Sequence, residues 1–341
     1  MLRIETRGSW AHMGERYGAT FRDEISDCMN RFCPWLGAPS EKLTHTLNEL
    51  RSSLACSAPE LLEETEGMAR GVEVAEAKML AYRFFPDVRN SVATGCSNVF
   101  LAHSNTGPLL GRNNDIENDF SQEIQVCHVR RPEGGFASIT TTYVGLVAVA
   151  GMNEHGLGVG GSSAPTTAAR SSSGLPGAAL QWLAIHRCRS VPDVVDLFAR
   201  HTYSGKPCNL LVADASETSH LFECIPGLPP QRHTSLDPAK WNACTNTFLS
   251  GRFPTPENPD YQQSSYARYG RIVHQLREGL VDHTLAGLQN LLRDIAMPGP
   301  FCTGFDGRWK TAYSQVMCLR ERKMHLSPGH PSEVPWEVIS L

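Results

Sequence analysis

Hydrophobic positions at helical spacing dominate the first quarter of the chain. Five of them recur every four residues and predict one amphipathic stripe: Met13, Tyr17, Phe21, Ile25 and Met29. Further helices are predicted at about 41–54, after Pro59 and at about 74–85, and the second of these begins with proline and acidic residues, as helix N-termini prefer. Residues 10–90 therefore form a helical N-terminal segment, which is either a plain helical domain or a pro-segment that stays docked after cleavage.

From Cys96 onward the pattern changes to short apolar runs separated by turn residues. The runs 96–102 and 109–112 flank an Asn/Gly/Pro turn and predict a β-hairpin. An antiparallel meander should follow, with strands at 123–129, 136–143, 144–150 and 157–159. In the hairpin, a residue early in the first strand can face one late in the second. Arg112 and Asp115 follow Cys96 by 16 and 19 positions and could share a site with it.

The rest of the chain alternates helical and strand patterns after a Ser/Thr/Ala-rich loop at 162–174. The predicted helices are 176–188, 192–201, 266–280 and 284–295. The predicted strands are 209–214, 220–224, 243–249, 312–319 and 323–326. This order favours two packed sheets with helices outside them.

Composition restricts the function classes. The 341 residues are 41% hydrophobic and 19% charged, as in soluble globular proteins, and the net charge of -4 gives no reason to expect a nucleic-acid partner. We find no apolar run of membrane-spanning length and no signal peptide at the start, so the expectation is a soluble cytoplasmic protein without a membrane partner. An oligomer remains compatible with the sequence.

The sequence motifs give little support for a metal site, a cofactor or disulfide bonds. The eleven cysteines include no C-x-x-C pair, and the thirteen histidines include no H-E-x-x-H, so we expect buried free thiols and neither metal nor cofactor. Gly156-x-Gly158-x-x-Gly161 matches the dinucleotide fingerprint, but Ser162-Ser163-Ala164-Pro165 after it does not open a helix. A glycine-rich strand facing a crowded pocket is the preferred interpretation.

Cys96, directly after Gly95, is the candidate nucleophile. A cysteine attacks as the thiolate and needs a base, and an N-terminal cysteine can use its own α-amine, whose ordinary pKa is about 7.7–8.0. A free amine at Cys96 requires cleavage of the Gly95–Cys96 bond. Cys96 could cleave it by attacking the Gly95 carbonyl and forming a thioester that water opens, and glycine leaves this attack uncrowded.

The chain resembles the Ntn-hydrolase superfamily, and within it the acyl-coenzyme A:6-aminopenicillanic acid acyltransferase family (peptidase C45 type, autoproteolytic), with choloylglycine hydrolases as distant relatives. The resembling segments are a helical small chain ending near 63–71, the cleavage site Gly95-Cys96, the G-[RQ]-N-x-D signature at 111–115, the asparagine segment at 151–157, the T-N pair at 245–246, and the S-x-x-R-x-x-R segment at 265–271. The resemblance covers nearly the whole chain.

The resemblance implies an αββα four-layer sandwich (α+β class) made as a precursor, with residues 1–95 remaining associated with a catalytic chain 96–341. It implies an amidohydrolase or acyltransferase that takes an acyl group onto Cys96 from a small-molecule amide or thioester, acyl-coenzyme A among the candidates, and passes it to water or an amine. The implied site residues are Cys96, Arg112, Asp115, Asn153, Asn246 and Arg268. Asp115 would hold the α-ammonium or a polar substrate group, the two asparagines would donate to an oxyanion, and Arg268 would favour the thiolate or a substrate carboxylate.

One departure from the family pattern lies beside the nucleophile. Ser97-Asn98 stands where the family has two threonines, which bears on acyl or amine specificity. Phe120, Tyr143 and the 162–174 loop are candidate pocket residues. Two rivals stay open: an uncleaved binding or scaffold protein on the same fold, and a Cys-His protease with a pro-segment, in which His103 or His155 would be the base.

Overall fold

The computed structural model describes residues 1–37, 40–89, 94–117, 125–147, 150–166, 173–233, 240–251, 259–297, 301–302 and 309–341. The helices in these ranges are α1 (Trp10–Thr20), α2 (Arg22–Phe32), α3 (Glu41–Ser57), α4 (Pro59–Val72), α5 (Glu76–Arg83), α6 (Phe85–Arg89), α7 (Gly177–Arg187), α8 (Val191–Ala199), α9 (Pro259–Arg277) and α10 (Leu285–Leu292). The strands are β1 (Leu2–Gly8), β2 (Thr94–Leu101), β3 (Leu109–Glu117), β4 (Gln125–Pro132), β5 (Ser138–Tyr143), β6 (Ala150–Asn153), β7 (Gly158–Ser163), β8 (Leu175–Pro176), β9 (Tyr203–Ser204), β10 (Cys208–Ala213), β11 (Ser219–Cys224), β12 (Gln231–His233), β13 (Trp241–Cys244), β14 (Trp309–Cys318), β15 (Lys323–Ser327) and β16 (Glu337–Ser340).

Two large sheets and the helices outside them build four layers. The first sheet has the order β1-β4-β5-β6-β7-β10-β11-β12, and the second has the order β13-β2-β3-β14-β15-β16. Side chains of both sheets, such as Phe100 and Leu211, meet in one hydrophobic cluster between them. The outer face of the first sheet packs on α7 and α8, and that of the second sheet packs on α9 and α10. The expected αββα sandwich is confirmed.

Helices α1 and α4 of the N-terminal segment cross in backbone contact. A Cβ on Gly14 would lie 2.0 Å from the carbonyl oxygen of Glu64, and one on Gly67 would lie 2.0 Å from that of Ala11. Glycines at these positions are therefore a steric requirement of the crossing. The predicted hydrophobic stripe is buried throughout, but it runs over two helices, since the backbone leaves helical geometry at Phe21.

The N-terminal segment also supplies a strand that sequence reasoning missed. Strand β1 pairs in parallel with β4, with Leu2 opposite Val126 and Thr6 opposite Arg130. The segment is thus a helical array plus one edge strand of the first sheet. Because β1 bonds to the chain after Cys96, the two parts of the protein share one sheet.

Two predicted strands are corrected by the structure. Residues 144–147 form a turn in which Gly145 has a positive φ of 78°, and Tyr82 and Tyr17 hydrogen-bond the backbone of Val144 and Gly145. The strand predicted at 243–249 ends at Cys244. Beyond it, Asn209 Nδ2 donates to the carbonyl oxygens of Thr245 and Thr247, which holds this stretch as an irregular turn.

Candidate active site

The β2–β3 hairpin places the nucleophile candidate in the space between the sheets. Antiparallel pairing sets Cys96 opposite Asn114 and Asn98 opposite Arg112. Residues two apart on a strand share a face, so Cys96 and Asn98 point to the same side as the core residue Phe100. Cys96 is 1% exposed, and the cavity described below reaches it.

A guanidinium group faces the thiol. Arg112 Nη2 lies 3.2 Å from Cys96 Sγ and 2.8 Å from Asn114 Oδ1, while its Nη1 donates to Tyr313 at 3.1 Å. Burial alone would lower the pKa of Arg112, but its charge interactions, with Cys96 first and Tyr313 next, raise that pKa above its ordinary value. Arg112 therefore stays charged beside the sulfur.

Side chains, rather than a neighbouring strand, bond the backbone of Cys96 on the β13 side of β2. Strand β13 ends opposite Asn98, so it does not pair with Cys96. There Asn246 Oδ1 accepts from the Cys96 main-chain nitrogen at 2.7 Å, and Arg268 Nη1 donates to the Cys96 carbonyl oxygen at 2.8 Å and to Ser97 Oγ at 2.9 Å. Arg268 Nη2 also donates to Asn246 Oδ1 at 2.9 Å, which joins the two residues into one clamp.

Asp115 lies on the other side of the Gly95–Cys96 bond. It stands opposite Gly95 in the hairpin, and a Cβ on Gly95 would lie 3.2 Å from Asp115 Cβ and 3.6 Å from its Oδ2. Thr311 donates to Oδ1 at 2.6 Å, whereas Oδ2 is buried with no hydrogen-bond partner among the described residues. Burial raises the pKa of Asp115 to about 6, against the opposing charges of Arg268 and Arg112.

A cavity of about 120 Å³ opens beside Cys96. The chain after Gly95 contributes Arg112, Asn114, Tyr143 and the strand residues Gly161–Ser163, together with residues of α7 and β10. The N-terminal segment contributes Arg83, Phe85, Pro86 and Asp87. The segment before the Gly95–Cys96 bond is therefore a wall of the cavity.

Three candidate pocket features have different outcomes. Tyr143 lines the cavity, and its hydroxyl accepts from Asn114 Nδ2 at 2.9 Å. Of the 162–174 loop, Ser162 and Ser163 line the cavity, while residues 167–172 lie outside the described residues. Phe120 also lies outside the described residues.

Asn153 is held away from this group. Its Nδ2 donates to the carbonyl oxygens of Ile185 and Cys188, and its Oδ1 accepts from the amides of His155 and Leu157. These bonds tie the β6–β7 turn to the end of α7. The structure brings Gly95, Cys96, Arg112, Asp115, Asn246 and Arg268 together and does not bring Asn153 to them.

The two candidate histidine bases are also elsewhere. His103 is exposed and pairs with Glu217 at 3.1 Å, and the ring of His155 packs edge-on against Phe136. Neither lines the cavity at Cys96. The geometry thus gives no support to the Cys-His protease reading.

Sequence reasoning missed a residue that positions the site without lining the cavity. Asn209 fixes the turn that carries Asn246, and it is buried in β10 among hydrophobic neighbours. Asn98, already noted from the sequence as a departure beside Cys96, donates from Nδ2 to Ser162 Oγ at 2.6 Å and so reaches the cavity wall through that serine. A buried asparagine inside an apolar strand was the available signal for Asn209.

The glycine-rich stretch is a strand, as preferred from sequence. In β7 a Cβ on Gly160 would lie 2.3 Å from Asn98 Oδ1, and the carbonyl oxygen of Gly161 accepts from Arg112 Nε at 3.2 Å. The glycines thus let the two sheets approach at the site. All eleven cysteines are free, and only Cys56 is exposed.

Neither a metal-binding cluster nor a membrane-spanning helix is found in the described ranges. No group of three or more His, Cys, Asp or Glu side chains there is arranged to hold a metal ion. Among the helices of the same ranges, none combines the length and the apolar character that crossing a bilayer requires.

Comparison with known proteins gives one family match. The family described as "Acyl-coenzyme A:6-aminopenicillanic acid acyl-transferase" matches residues 102–333, a range that holds Arg112, Asp115, Asn246 and Arg268 and begins after Cys96. No curated protein matches the chain.

Solved structures of low identity are also similar to this chain. A mutant of the conjugated bile acid hydrolase from Clostridium perfringens is 14% identical, with a TM-score of 0.48 over 72% of this chain and 97% of that one. Penicillin V acylase from Agrobacterium tumefaciens is 14% identical, with a TM-score of 0.42 over 68% and 82%. The Caenorhabditis elegans ortholog of N-acylethanolamine-hydrolyzing acid amidase is 15% identical, with a TM-score of 0.45 over 66% and 93%.

Proposed function

The chain belongs to the acyl-coenzyme A:6-aminopenicillanic acid acyl-transferase family, and on that premise we propose that it is an autoproteolytic amidohydrolase or acyltransferase with Cys96 as its N-terminal nucleophile. The acyl group comes from a small-molecule amide or thioester and passes to water or an amine. One observation carries the proposal. Cys96 presents its thiol to Arg112 at the cavity while Asn246 and Arg268 hold its backbone.

The first step is cleavage of the Gly95–Cys96 bond. Cys96 Sγ attacks the Gly95 carbonyl carbon, the carbon–nitrogen bond breaks, and the thiol proton ends on the new amine. Water then opens the resulting thioester and releases the Gly95 carboxyl group and the free thiol. The glycine at position 95 supports this assignment. A Cβ there would lie 3.2 Å from Asp115 Cβ and would crowd that side chain beside the bond to be cut.

The new α-amine then serves as the base for turnover. It occupies the position of the present Cys96 nitrogen, where Asn246 Oδ1 already accepts a hydrogen bond. The unpartnered Oδ2 of Asp115 lies on the Gly95 side of that position and offers an acceptor for the ammonium form. In the intact chain the Nδ2 of Asn246 donates to the carbonyl oxygen of Ser163 at 2.8 Å. During turnover this Nδ2 donates instead to the substrate oxyanion.

Each acyl transfer consists of two successive substitutions at the substrate carbonyl carbon. The Cys96 thiolate adds to the substrate carbonyl, the amine or thiol leaves with a proton from the α-ammonium, and an acyl thioester remains. Water or an acceptor amine then attacks the thioester, gives its proton to the α-amine and regenerates the thiolate. Arg112, charged and in contact with the sulfur, stabilises the thiolate at both ends of the cycle.

We further propose that residues 1–95 stay docked after cleavage. Glu64 of α4 lies between Arg83 of α5, at 2.8 Å, and Arg130 of β4, at 2.7 Å, and all three are buried. Glu64 thus carries a buried ion pair across the two parts. Strand β1 adds seven residue pairs with β4. These contacts do not involve the bond that is cut.

The test is intact mass with N-terminal sequencing of freshly purified protein. We expect fragments of 95 and 246 residues (341 - 95 = 246), the larger beginning with Cys96. Cys96→Ala should stay intact and inactive on acyl amides and thioesters, and Cys96→Ser should cleave slowly, because a hydroxyl is the weaker nucleophile. Cys56→Ala, which removes the exposed thiol, is the matched control and should behave as wild type. An uncut wild-type chain after long incubation, or turnover retained in Cys96→Ala, would contradict the proposal.

A further inference from the structure

We propose that the cavity beside Cys96 takes a compact acyl group bearing a neutral hydrogen-bonding group, such as a hydroxyl, at its far end, and that Gln181 recognises this group. The inference rests on the proposed function, because it assumes that the acyl group on Cys96 enters this cavity. It adds a specificity-determining residue and a class of acyl group.

Gln181 is one of the polar residues that line the cavity. It lies on α7, lines the cavity and is 5% exposed. Its Oε1 is buried and has no hydrogen-bond partner among the described residues. Leaving a buried amide oxygen unpaired costs free energy, and a ligand atom that donates to it removes this cost. Phe85, Leu146 and Val147 supply apolar walls of the same cavity.

A second unpaired atom lies on a cavity-lining residue. Arg83 Nε is buried without a partner in the described part of the chain, although the other nitrogens of this guanidinium bond Glu64 and Thr65. A hydroxyl both donates and accepts, so one such group can satisfy an amide oxygen and a guanidinium nitrogen. The unpaired Gln181 oxygen by itself already favours a hydroxyl over a methyl end.

The charges at the cavity favour a neutral group. Asp87 and Lys206 both line the cavity and attract each other, and Asp87 Oδ1 also accepts from the main-chain nitrogen of Lys206 at 3.1 Å. Arg83 is already paired with Glu64. Arg112 already faces Cys96, so the charged side chains of the lining have neighbours of their own and a neutral hydroxyl needs no counter-ion there.

The cavity size limits the group to a short chain or one ring. Its volume of about 120 Å³ is close to the roughly 150 Å³ of an engineered protein cavity that binds benzene. The acyl part must stay bound between the two transfer steps while the leaving amine departs. A cavity walled by the N-terminal segment therefore suits the acyl part.

The test compares two acyl groups that differ only by a hydroxyl in place of a methyl: 6-hydroxyhexanoyl and heptanoyl. Calorimetry with the two free acids on purified wild-type protein measures binding without chemistry, and kcat/KM on their p-nitroanilides and thioesters measures turnover. We expect the hydroxyl form to be favoured about tenfold in both, the discrimination of roughly one hydrogen bond.

The variant Gln181→Met removes the polar group at similar volume and should abolish the preference, mainly by improving heptanoyl. Gln181→Leu is the second variant in case methionine disturbs folding, which melting curves will show. Gln231→Leu, on β12 outside the cavity, should keep the wild-type ratio. Equal binding of the two acids by wild type, or an unchanged ratio in both Gln181 variants, overturns the inference.

Calorimetric binding and turnover test the role of Gln181 and the proposed function separately. Turnover of both acyl groups without any hydroxyl preference leaves the proposed function standing and refutes the role of Gln181. A Gln181-dependent hydroxyl preference in binding, with no turnover of any amide or thioester, supports the cavity assignment and refutes the enzymatic function.

Discussion

Asn246 Oδ1 accepts a hydrogen bond from the main-chain nitrogen of Cys96 at 2.7 Å, across 150 positions of the chain. The bond exists because β13 stops two residues short of pairing with Cys96, and the turn after it carries Asn246 back to the exposed backbone of β2. The same nitrogen becomes the catalytic amine if the Gly95–Cys96 bond is cut. A contact that completes a strand in the intact chain would thus orient the base in the processed enzyme.

Replacing Asn246 by alanine should lower kcat by about 100-fold to 1,000-fold with a smaller change in KM, because an oxyanion donor acts mainly in the transition state. Steady-state kinetics on a protein already shown to be cleaved measures this effect. Asn290→Ala, on the exposed side of α10, should leave both constants unchanged. A loss confined to KM would show that Asn246 only binds the ground state.

Asp115→Asn should change how stability depends on pH. The folded-state pKa of Asp115 is raised to about 6, so the fold favours the neutral acid. Its stabilising contribution is complete below the unfolded pKa, near 4, and is lost as pH rises through about 6. At pH 7.5 the asparagine variant should therefore gain up to about 3 kcal/mol relative to wild type, a gain that disappears below pH 4.

Denaturant unfolding at several pH values tests this prediction in the uncleaved Cys96→Ala background. Asp87, whose pKa burial also raises to about 6, is present in both proteins and cancels in the difference. Parallel stability curves for the two proteins would show that Asp115 does not titrate as described.

Glu64→Gln should destabilise the protein by about 3–5 kcal/mol, because it leaves two buried arginines without their carboxylate. The charges of Arg130 and Arg83 outweigh burial and hold the pKa of Glu64 well below its ordinary value, so this loss should appear at every pH at which Glu64 is ionised. Chemical unfolding measures it. After cleavage, the variant should also lose its small chain on size-exclusion chromatography.

Glu63→Gln is the matched control, since Glu63 is the exposed neighbour on the same helix. Its stability should lie within about 0.5 kcal/mol of wild type. Equal losses of stability in Glu64→Gln and Glu63→Gln would show that the ion pairs of Glu64 with Arg83 and Arg130 do not stabilise the fold.

Asn209→Ala should reduce kcat by roughly 10-fold to 100-fold while KM changes little, because it frees the turn that positions Asn246 and touches no substrate. Combining it with Asn246→Ala gives a double-mutant cycle. The second substitution should then add almost nothing, as expected for residues acting through one group. Full additivity would show that Asn209 acts independently of Asn246.

Local patterns determined most of the fold. The apolar stripe from Met13 to Met29 and the turn at 104–108 specify their elements through neighbouring residues. The order of elements favoured two packed sheets with helices outside, and the motif resemblance supplied the αββα class. The missed strand β1 and the strand wrongly predicted at 144–147 have a common cause. Each depends on a distant partner: β1 pairs with β4, and the turn at 144–147 is held by Tyr17 and Tyr82.

For the site, the sequence by itself pointed to Cys96 as the candidate nucleophile and to Arg112, because the two lie on adjacent strands joined by a recognisable turn. Motif resemblance added Asn246 and Arg268, which the structure places on the Cys96 backbone. It also suggested Asn153, which the structure ties to the end of α7.

Only the tertiary structure decided what surrounds that hairpin. Whether an asparagine bonds the Cys96 backbone or a helix end depends on how the two sheets stack, and stacking is set by non-directional burial of many side chains rather than by any local motif. The same packing brought Asp87 and Gln181, 94 positions apart, to one cavity. The sequence thus determined which residues could do the chemistry, and packing determined which of them meet.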